Sequence, residues 1–392
     1  MSQRPLLFAL ILLGSLAASS VVDAASPQPA QLLKRARSQY ESDDFQQALS
    51  TAQQALDLDT DQSDEAALQR AAIHEFLADT YDELGAYAQS EEHYLASVDI
   101  RKQVQGDSHP DVAAGLGNIA MIKESIGRPE EAKQLYQQIL PILEADRTKQ
   151  PELSSLLTNM AILYKSLGEF DTALALHQRA LTIRKSLPEY GPEHHETAIV
   201  MDNIAVLFLS WHKPQEARPY LFEAHRIFDK RLGANHVQTL KTLHNIARYY
   251  GEIGAFDKGL QLETQALTAF EQKFGSQHPE VANCLNLMGR MYSRKGDLAK
   301  AEAKVLAALH IRESLFGPDH PDIRLALNDL ALVRMAMNEP NSTTELLRRS
   351  LAFSEATLGK IRRLTVDRAI ADFLSTLRDE AHEIYSLAEA SS

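Results

Sequence analysis

The sequence contains a single cysteine and has fewer basic than acidic residues. Because Cys284 is alone, no disulfide can form within the chain, and stability must come from packing. The 40 lysines and arginines are outnumbered by 53 aspartates and glutamates, which gives a formal net charge of −13. This balance argues against general binding to nucleic acids or anionic membranes. We expect Cys284 to be a small, buried core residue rather than a reactive thiol.

Motifs for catalysis are also missing. The chain has no P-loop, nucleophile elbow or Cys/His dyad, and His74-Glu75 and His195-Glu196 lack the second histidine of a zinc-protease helix. The segment from Gly115 to Ala120 matches a dinucleotide-binding pattern, but no predicted strand precedes it. We therefore expect a noncatalytic protein with no cofactor and no metal site.

Long apolar runs are absent outside the N-terminus. The stretch from Leu6 to Ala18 is too short to span a membrane and follows Arg4, while Val22-Asp23-Ala24 has small residues at the −3 and −1 positions. This pattern predicts a signal peptide over residues 1–24, cleaved after Ala24, and hence a periplasmic or secreted protein. An uncleaved anchor is the alternative. After cleavage we expect no membrane span.

What the sequence does contain is an internal repeat. A motif close to L-x-x-(I/M/L)-(A/G) returns at steps of 42, 42, 41, 44, 42, 42 and 42 residues. Its small residue is at Ala36, Ala78, Ala120, Ala161, Ala205, Ala247, Gly289 and Ala331. In each unit two helical patterns flank a turn that usually contains glycine, and further alanines mark the second helix. A period of this size predicts an all-α solenoid in which each repeat packs on its neighbours.

The same pattern resembles the tetratricopeptide repeat, and a recurring loop resembles that of its kinesin light chain type. The loop G-x-x-H-P-(D/E)-(V/I) is found at 106–112, 275–281 and 317–323. The resemblance implies a right-handed α-solenoid of eight helical pairs over residues 28–358. An apolar pattern over residues 359–392 predicts a C-terminal capping helix, which would alternatively dock a partner or a second copy of the chain.

The loop, of which weaker copies begin at Gly191 and Gly233, contains one histidine per repeat. These residues are His109, His194, His236, His278 and His320. Because successive histidines are separated by a full repeat, they are too far apart to bind one metal ion, and we interpret them as turn residues. Pro110, Pro279 and Pro321 suit the first position of a helix, where the missing N–H costs nothing.

In tetratricopeptide proteins ligands usually lie along the first helix of each pair, and this resemblance selects the candidate peptide-binding residues. A basic, amide-rich set comprises Lys241, His244, Arg248, Asn286, Arg290 and Arg294. An apolar set includes Ile162 and Val206, and a ladder of amides comprises Asn118, Asn159, Asn203 and Asn245. The basic set would bind acidic groups, and the amides would bind an extended peptide backbone.

Each of these interpretations has an alternative. The basic residues could form a solvated face neutralised by Glu252 and Glu263, and the asparagines could bond between neighbouring helices. We expect an adaptor or assembly scaffold that binds a protein or peptide partner. The basic set favours a partner with acidic groups. The alternative function is a structural protein that self-associates through its C-terminal helix.

Overall fold

The computed structural model describes residues 28–40, 42, 44–58, 61, 63–316 and 323–358. Within these ranges the regular structure is helical, with one short 3-10 turn at Arg147–Lys149 and no strand. The helices are α1 Pro29–Tyr40, α2 Phe45–Asp57, α3 Asp64–Glu83, α4 Tyr87–Gln105, α5 Pro110–Ser125, α6 Pro129–Ala145, α7 Gln150–Ser166, α8 Phe170–Ser186, α9 His195–Ser210, α10 Pro214–Leu232, α11 Val237–Glu252, α12 Phe256–Phe274, α13 Pro279–Arg294, α14 Leu298–Phe316, α15 Ile323–Ala336 and α16 Pro340–Leu358.

The chain divides into two compact units, Met1–Leu163 and Tyr164–Ser392. In the first unit α1 packs on α2, α3 on α4 and α5 on α6, and the second helices α2 and α4 also contact the first helix that follows them. In the second unit the pairs are α9 with α10, α11 with α12, α13 with α14 and α15 with α16, linked in the same way. First helices of successive pairs are also in contact: α9 contacts α11, and α13 contacts α15. This repeated packing confirms the predicted all-α solenoid of helical hairpins.

The periodic small residues lie where helices cross closely. Ala120, Ala205 and Ala247 are fully buried, as are the repeat alanines of the second helices such as Ala217. The glycine that takes this position in one repeat has the same function, because a Cβ on Gly289 would lie 2.5 Å from Cγ2 of Val305. The prediction that these positions require small side chains is confirmed.

The turns between paired helices require a left-handed backbone. Gly85, Gly168 and Gly254 have φ values of 71°, 78° and 78°. Where the glycine is missing, His212 and Asn338 adopt the same conformation, with φ values of 55° and 63°. Asparagine and histidine are among the side chains that tolerate this conformation best, so the turn survives the substitution.

The loop histidines cap the helices that follow them. In His109, His194, His236 and His278 the ring nitrogen Nδ1 accepts the backbone N–H two residues ahead, at 3.1 to 3.2 Å. Pro110 and Pro279 are the first residues of α5 and α13. The interpretation as turn residues is confirmed for these four histidines, whereas His320 and Pro321 lie outside the described residues.

Two predicted segments also lie outside the described residues, namely the signal peptide at 1–24 and the capping helix at 359–392. Among the helices that the structure describes, none has both the length and the apolar character needed to cross a membrane.

Candidate functional site

The predicted basic residues lie on two first helices of the second unit. Lys241, His244 and Arg248 follow one another at three- and four-residue spacing along α11, which places them on one face of that helix. Arg290 and Arg294 have the same four-residue spacing on α13. Since α11 contacts α13, we call these five residues together the first-helix row.

Three members of the row are neutralised by carboxylates. Lys241 Nζ lies 2.7 Å from Glu280, Arg294 Nη1 lies 3.4 Å from Glu252, and His244 Nδ1 donates to Glu263 at 2.8 Å. Glu252 and Glu263 are the two acids that sequence reasoning had named as partners of a neutralised face, so that interpretation is correct for His244 and Arg294. The pKa of His244 is raised because the attraction of Glu263 outweighs the burial that would lower it.

Arg248 and Arg290 are compensated far less. Arg248 Nη2 donates to Ser210 Oγ at 3.4 Å, and its buried Nε has no hydrogen-bond partner among the described residues. Burial, together with the neighbouring charge of Arg290, lowers the pKa of Arg248 to about 10. Arg290 is exposed, with 48% of its side chain accessible, and its Nε lies 4.0 Å from Asp329. The two guanidinium groups therefore form the part of the row that has unused capacity to bind an anion.

Two of the predicted amides bridge neighbouring repeats. Asn245 Nδ2 donates to both carboxylate oxygens of Asp202, at 3.1 and 3.0 Å. Asn286 Nδ2 donates to Asp329. Both amides are at least nine-tenths buried. Asn245 thus makes the bond between helices that was the alternative to peptide binding, and Asn286 of the basic set makes a bond of the same kind. Asn203, which is 8% exposed, has no side-chain partner in the described part of the chain.

The remaining predicted residues are divided between the two units. In the first, Asn118 and Ile162 are half-buried, and Asn159 Nδ2 lies 4.0 Å from Sδ of Met121. In the second, Val206 is buried, with 8% exposed. A peptide-binding role for these four residues stays a prediction.

Sequence reasoning missed the carboxylates that bond to the amides. Asp202 lies three residues before the small residue of its repeat and Asn245 two residues before that of the next, so the two are 43 residues apart. Asn286 and Asp329 have the same separation with the residue types exchanged. Alignment of the repeats at these two positions would have revealed both pairs.

Comparison with family models decides the family. A tetratricopeptide repeat model matches residues 69–145, 152–230 and 212–272. A second tetratricopeptide repeat model matches residues 281–322, and the matches together cover more than half of the chain. The chain belongs to the tetratricopeptide repeat family. No curated protein sequence matches this tetratricopeptide repeat protein.

Solved structures share its fold. The apo form of the quorum sensor NprR from B. thuringiensis superposes with a TM-score of 0.62 at 13% identity, covering 83% of this chain and 87% of that one. A Rap protein complexed with competence and sporulation factor gives a TM-score of 0.59 at 15% identity, covering 84% of this chain and 98% of that one. The nearly identical TPR-like repeats of a kinesin light chain from Podosopora anserina give a TM-score of 0.44 at 22% identity, covering 52% of this chain and 97% of that one. At these identities the likeness concerns the fold alone.

Proposed function

We propose that this tetratricopeptide repeat protein is an adaptor or scaffold whose second unit binds an acidic group of a protein partner at Arg248 and Arg290. The family and the solenoid fold support the general role in protein–protein interaction, since stacked helical pairs present extended binding surfaces. The choice of site and the acidic character of the partner are the specific parts of the proposal.

The observation that carries the proposal is the unsatisfied guanidinium of Arg248. Its buried Nε has no hydrogen-bond partner in the part of the chain that the structure describes. The attraction of nearby Glu252 does not offset the burial and the repulsion from Arg290, since the pKa of Arg248 remains lowered. A polar group left unpaired in the interior is unfavourable, and a ligand carboxylate that accepted its N–H would remove that penalty. Arginine binds carboxylates with two parallel hydrogen bonds, which also fixes the orientation of the ligand.

Arg290 supplies the accessible half of this site. With 48% of its side chain exposed, it can reach a ligand without breaking a close ion pair, because Asp329 is 4.0 Å away. Lys241, His244 and Arg294 are instead held by Glu280, Glu263 and Glu252. We assign these three a role in shaping the rim of the site, since a ligand would have to compete with their own carboxylates.

The backbone of the ligand would be held by amides whose side chains are not already engaged. Within the second unit this role falls to Asn203, which has no side-chain hydrogen bond among the described residues, and Val206, three residues later on α9, is the apolar contact. Asn118, Asn159 and Ile162 belong to the first unit and stay predicted peptide contacts of that unit by itself. Asn245 and Asn286 contribute indirectly, because their bonds to Asp202 and Asp329 hold the first helices together.

Export is a further part of the proposal. The pattern of Arg4, the apolar stretch and Val22-Asp23-Ala24 supports a periplasmic or secreted adaptor. Self-association through residues 359–392 stays the alternative, and it would be recognised by the size of the purified full chain in solution.

The test is a selection of random peptides on the full chain, followed by measurement of their affinities. We expect selected peptides to be enriched in aspartate, glutamate or a free C-terminal carboxylate near one end. Arg290→Gln is expected to weaken binding at least ~10-fold, the cost of one charge-assisted hydrogen bond. The double variant Arg248→Ala/Arg290→Ala is expected to abolish binding while helicity, followed by circular dichroism, is retained.

Arg226→Gln is the matched control. Arg226 is an exposed arginine of the second helix α10, 45% accessible, and pairs with Glu193 and Glu223. Its loss should leave peptide affinity unchanged. Peptides that bind the double variant as tightly as the wild type would contradict the assignment of the site.

A further inference from the structure

A buried cluster of three different ligand types joins α11, α12 and α13. His244, Glu263 and Cys284 each direct one nitrogen, oxygen or sulfur atom to a common point, and these atoms all lie within 4.8 Å of one another. Glu263 and Cys284 are both 0% exposed, whereas 24% of the His244 side chain is accessible. The cluster therefore has a closed interior and an opening toward solvent on the side of the histidine.

Glu263 has no evident role in the fold. In three other repeats of the second unit the same position is occupied by Leu221, Val305 and Leu347, all fully buried, and in a fourth it is occupied by the buried His177. A hydrophobic side chain therefore suffices to fill this place between the helices. The burial of a carboxylate there is unfavourable unless hydrogen bonds or opposite charge compensate it.

The compensation that the protein itself provides is incomplete. One carboxylate oxygen of Glu263 accepts from His244, but the other, Oε2, is buried without a geometrically acceptable hydrogen-bond partner among the described residues. Cys284 also departs from the repeat pattern, since Val200, Thr242 and Ala326 occupy its position elsewhere in this unit. Glu263 and Cys284, which both depart from the repeat pattern, thus lie on different helices and next to His244.

We propose that His244, Glu263 and Cys284 form a binding site for a divalent transition metal ion, with zinc as the best match. Imidazole, carboxylate and thiolate are the three ligand types that zinc accepts, and a tetrahedral ion takes three protein ligands with water in the fourth position. Ligand atoms in such a site are about 3–4 Å apart, so the cluster needs only a small contraction. The accessible edge of His244 is the place where water completes the coordination.

The charges balance in both states of the cluster. Without metal, the buried Cys284 carries its S–H proton, as an ordinary thiol does at neutral pH. When the ion binds, the S–H proton leaves to solvent, as does the Nδ1 proton of His244 where that nitrogen is the ligand. A divalent ion with one thiolate and one carboxylate is then neutral overall, which suits a site closed on two sides. Metal binding by protonated ligands releases protons in general.

Cobalt is the probe for this site. The full chain, freed of metal with a chelator, is titrated with Co²⁺ alone. We expect one equivalent to bind and to produce a near-ultraviolet thiolate-to-cobalt absorption with the visible bands of a tetrahedral ion, both of which Zn²⁺ then removes. Because the sequence has one cysteine, any thiolate absorption reports Cys284.

Glu263→Leu is the decisive variant. Since leucine occupies the same position in two other repeats of the unit, this variant is expected to fold and to lose the cobalt spectrum. His244→Gln should weaken cobalt binding by more than the ~10–100-fold that loss of an outer-shell partner costs. His93→Gln, which removes a histidine of the His74–His93 pair in the first unit, should bind as the wild type does.

Zn²⁺ should also raise the unfolding temperature of the wild type and leave that of Glu263→Leu unchanged, because the ion links three helices only when all ligands are present. A wild-type chain that shows no thiolate absorption with stoichiometric cobalt would overturn the proposal. Equal cobalt affinity in wild type and Glu263→Leu would overturn it as well.

Discussion

Asn245 Nδ2 donates hydrogen bonds to both carboxylate oxygens of Asp202, on the first helix of the preceding repeat, at 3.1 and 3.0 Å. Both side chains are buried, with 5% and 8% exposed. Asn286 and Asp329 form the same link one repeat pair later, with the amide on the earlier helix. The two residues of each pair are 43 residues apart, one more than the usual period. The pair therefore joins one repeat position on a first helix to the next repeat position on the following first helix. Polar pairs therefore help to set the register of neighbouring repeats in the second unit.

Asp202→Asn should make the second unit more stable at neutral pH. Burial raises the pKa of Asp202 to about 6, although the bond from Asn245 acts in the opposite direction. Between its ordinary pKa near 3.8 and about 6, the folded chain holds a proton that the unfolded chain has lost. Stability therefore falls as pH rises through this window, by on the order of 3 kcal/mol at most. The asparagine variant keeps an acceptor for Asn245 and avoids the charge.

The measurement is urea denaturation of wild type and variant at pH 4 and pH 7. Since other carboxylates titrate over the same range, the quantity of interest is the difference in unfolding free energy between the two proteins. We expect this difference to favour the variant increasingly from pH 4 to pH 7. A difference that is constant with pH would show that folding does not raise the pKa of Asp202.

The fold could be predicted from the sequence because its determinants are periodic. A solenoid repeats one packing problem, so the alanines at close helix crossings return at a fixed interval, and Ala120 and Ala247 occur where that interval requires. The capping histidines were visible for the same reason, since their bonds reach only two residues ahead. Local and periodic features are the ones that a single sequence records.

The site could be predicted only in part. The positions that face the ligand in tetratricopeptide proteins identified Lys241, Arg248 and Arg290, but which of them has an acid within reach depends on contacts between helices. The cluster of His244, Glu263 and Cys284 has no local signature, because its members are separated by 19 and 21 residues along three helices. The position of Glu263 in the repeat was nevertheless a signal, since buried leucine or valine occupies it in three other repeats of the unit.

His177 should make the chain sensitive to acid. It occupies the same position of its repeat as Glu263, is 1% exposed, and its Nδ1 has no partner among the described residues. Burial, with a smaller effect of Lys165, lowers its pKa to about 3. Below pH 6.5 His177 binds a proton in the unfolded chain but stays neutral in the folded chain. The free energy of unfolding therefore falls as the pH drops toward 3, by on the order of 4 kcal/mol.

His177→Leu should remove this loss, because leucine fills the equivalent place as Leu221 and Leu347. Unfolding free energies of wild type and variant, measured by denaturant titration at pH 7 and pH 4.5, test the expectation. The gap between the two proteins should widen at the lower pH in favour of leucine. Parallel losses in both proteins would mean that His177 is not the group responsible.

His236→Ala should weaken the start of α11. The Nδ1 atom of His236 accepts the N–H of Gln238 at 3.2 Å, and the side chain is exposed, so that little packing is lost with it. Removal of a capping acceptor costs about 1 kcal/mol. His236→Asn offers an acceptor at the same position and should restore most of the loss. Denaturation of the three proteins at pH 8 decides the matter, and equal stability of the alanine and asparagine variants would contradict a capping role.

Gly115 is required by its neighbour Val98 and not by its own backbone. A Cβ at Gly115 would lie 2.5 Å from Cγ2 of Val98, which is buried on α4. Gly115→Ala gains about 1 kcal/mol from helix propensity. Overpacking against a stiff, branched side chain costs about 1–3 kcal/mol, so the single variant should be less stable than the wild type.

In a Val98→Ala background the same substitution should become stabilising, because the only close atoms belong to Val98. The double-mutant cycle is measured by urea denaturation, and the coupling between the two sites should be about 1–3 kcal/mol in favour of the double variant. If Gly115→Ala destabilised both backgrounds equally, the close approach of α4 and α5 would have to be limited by the backbone and not by this side chain.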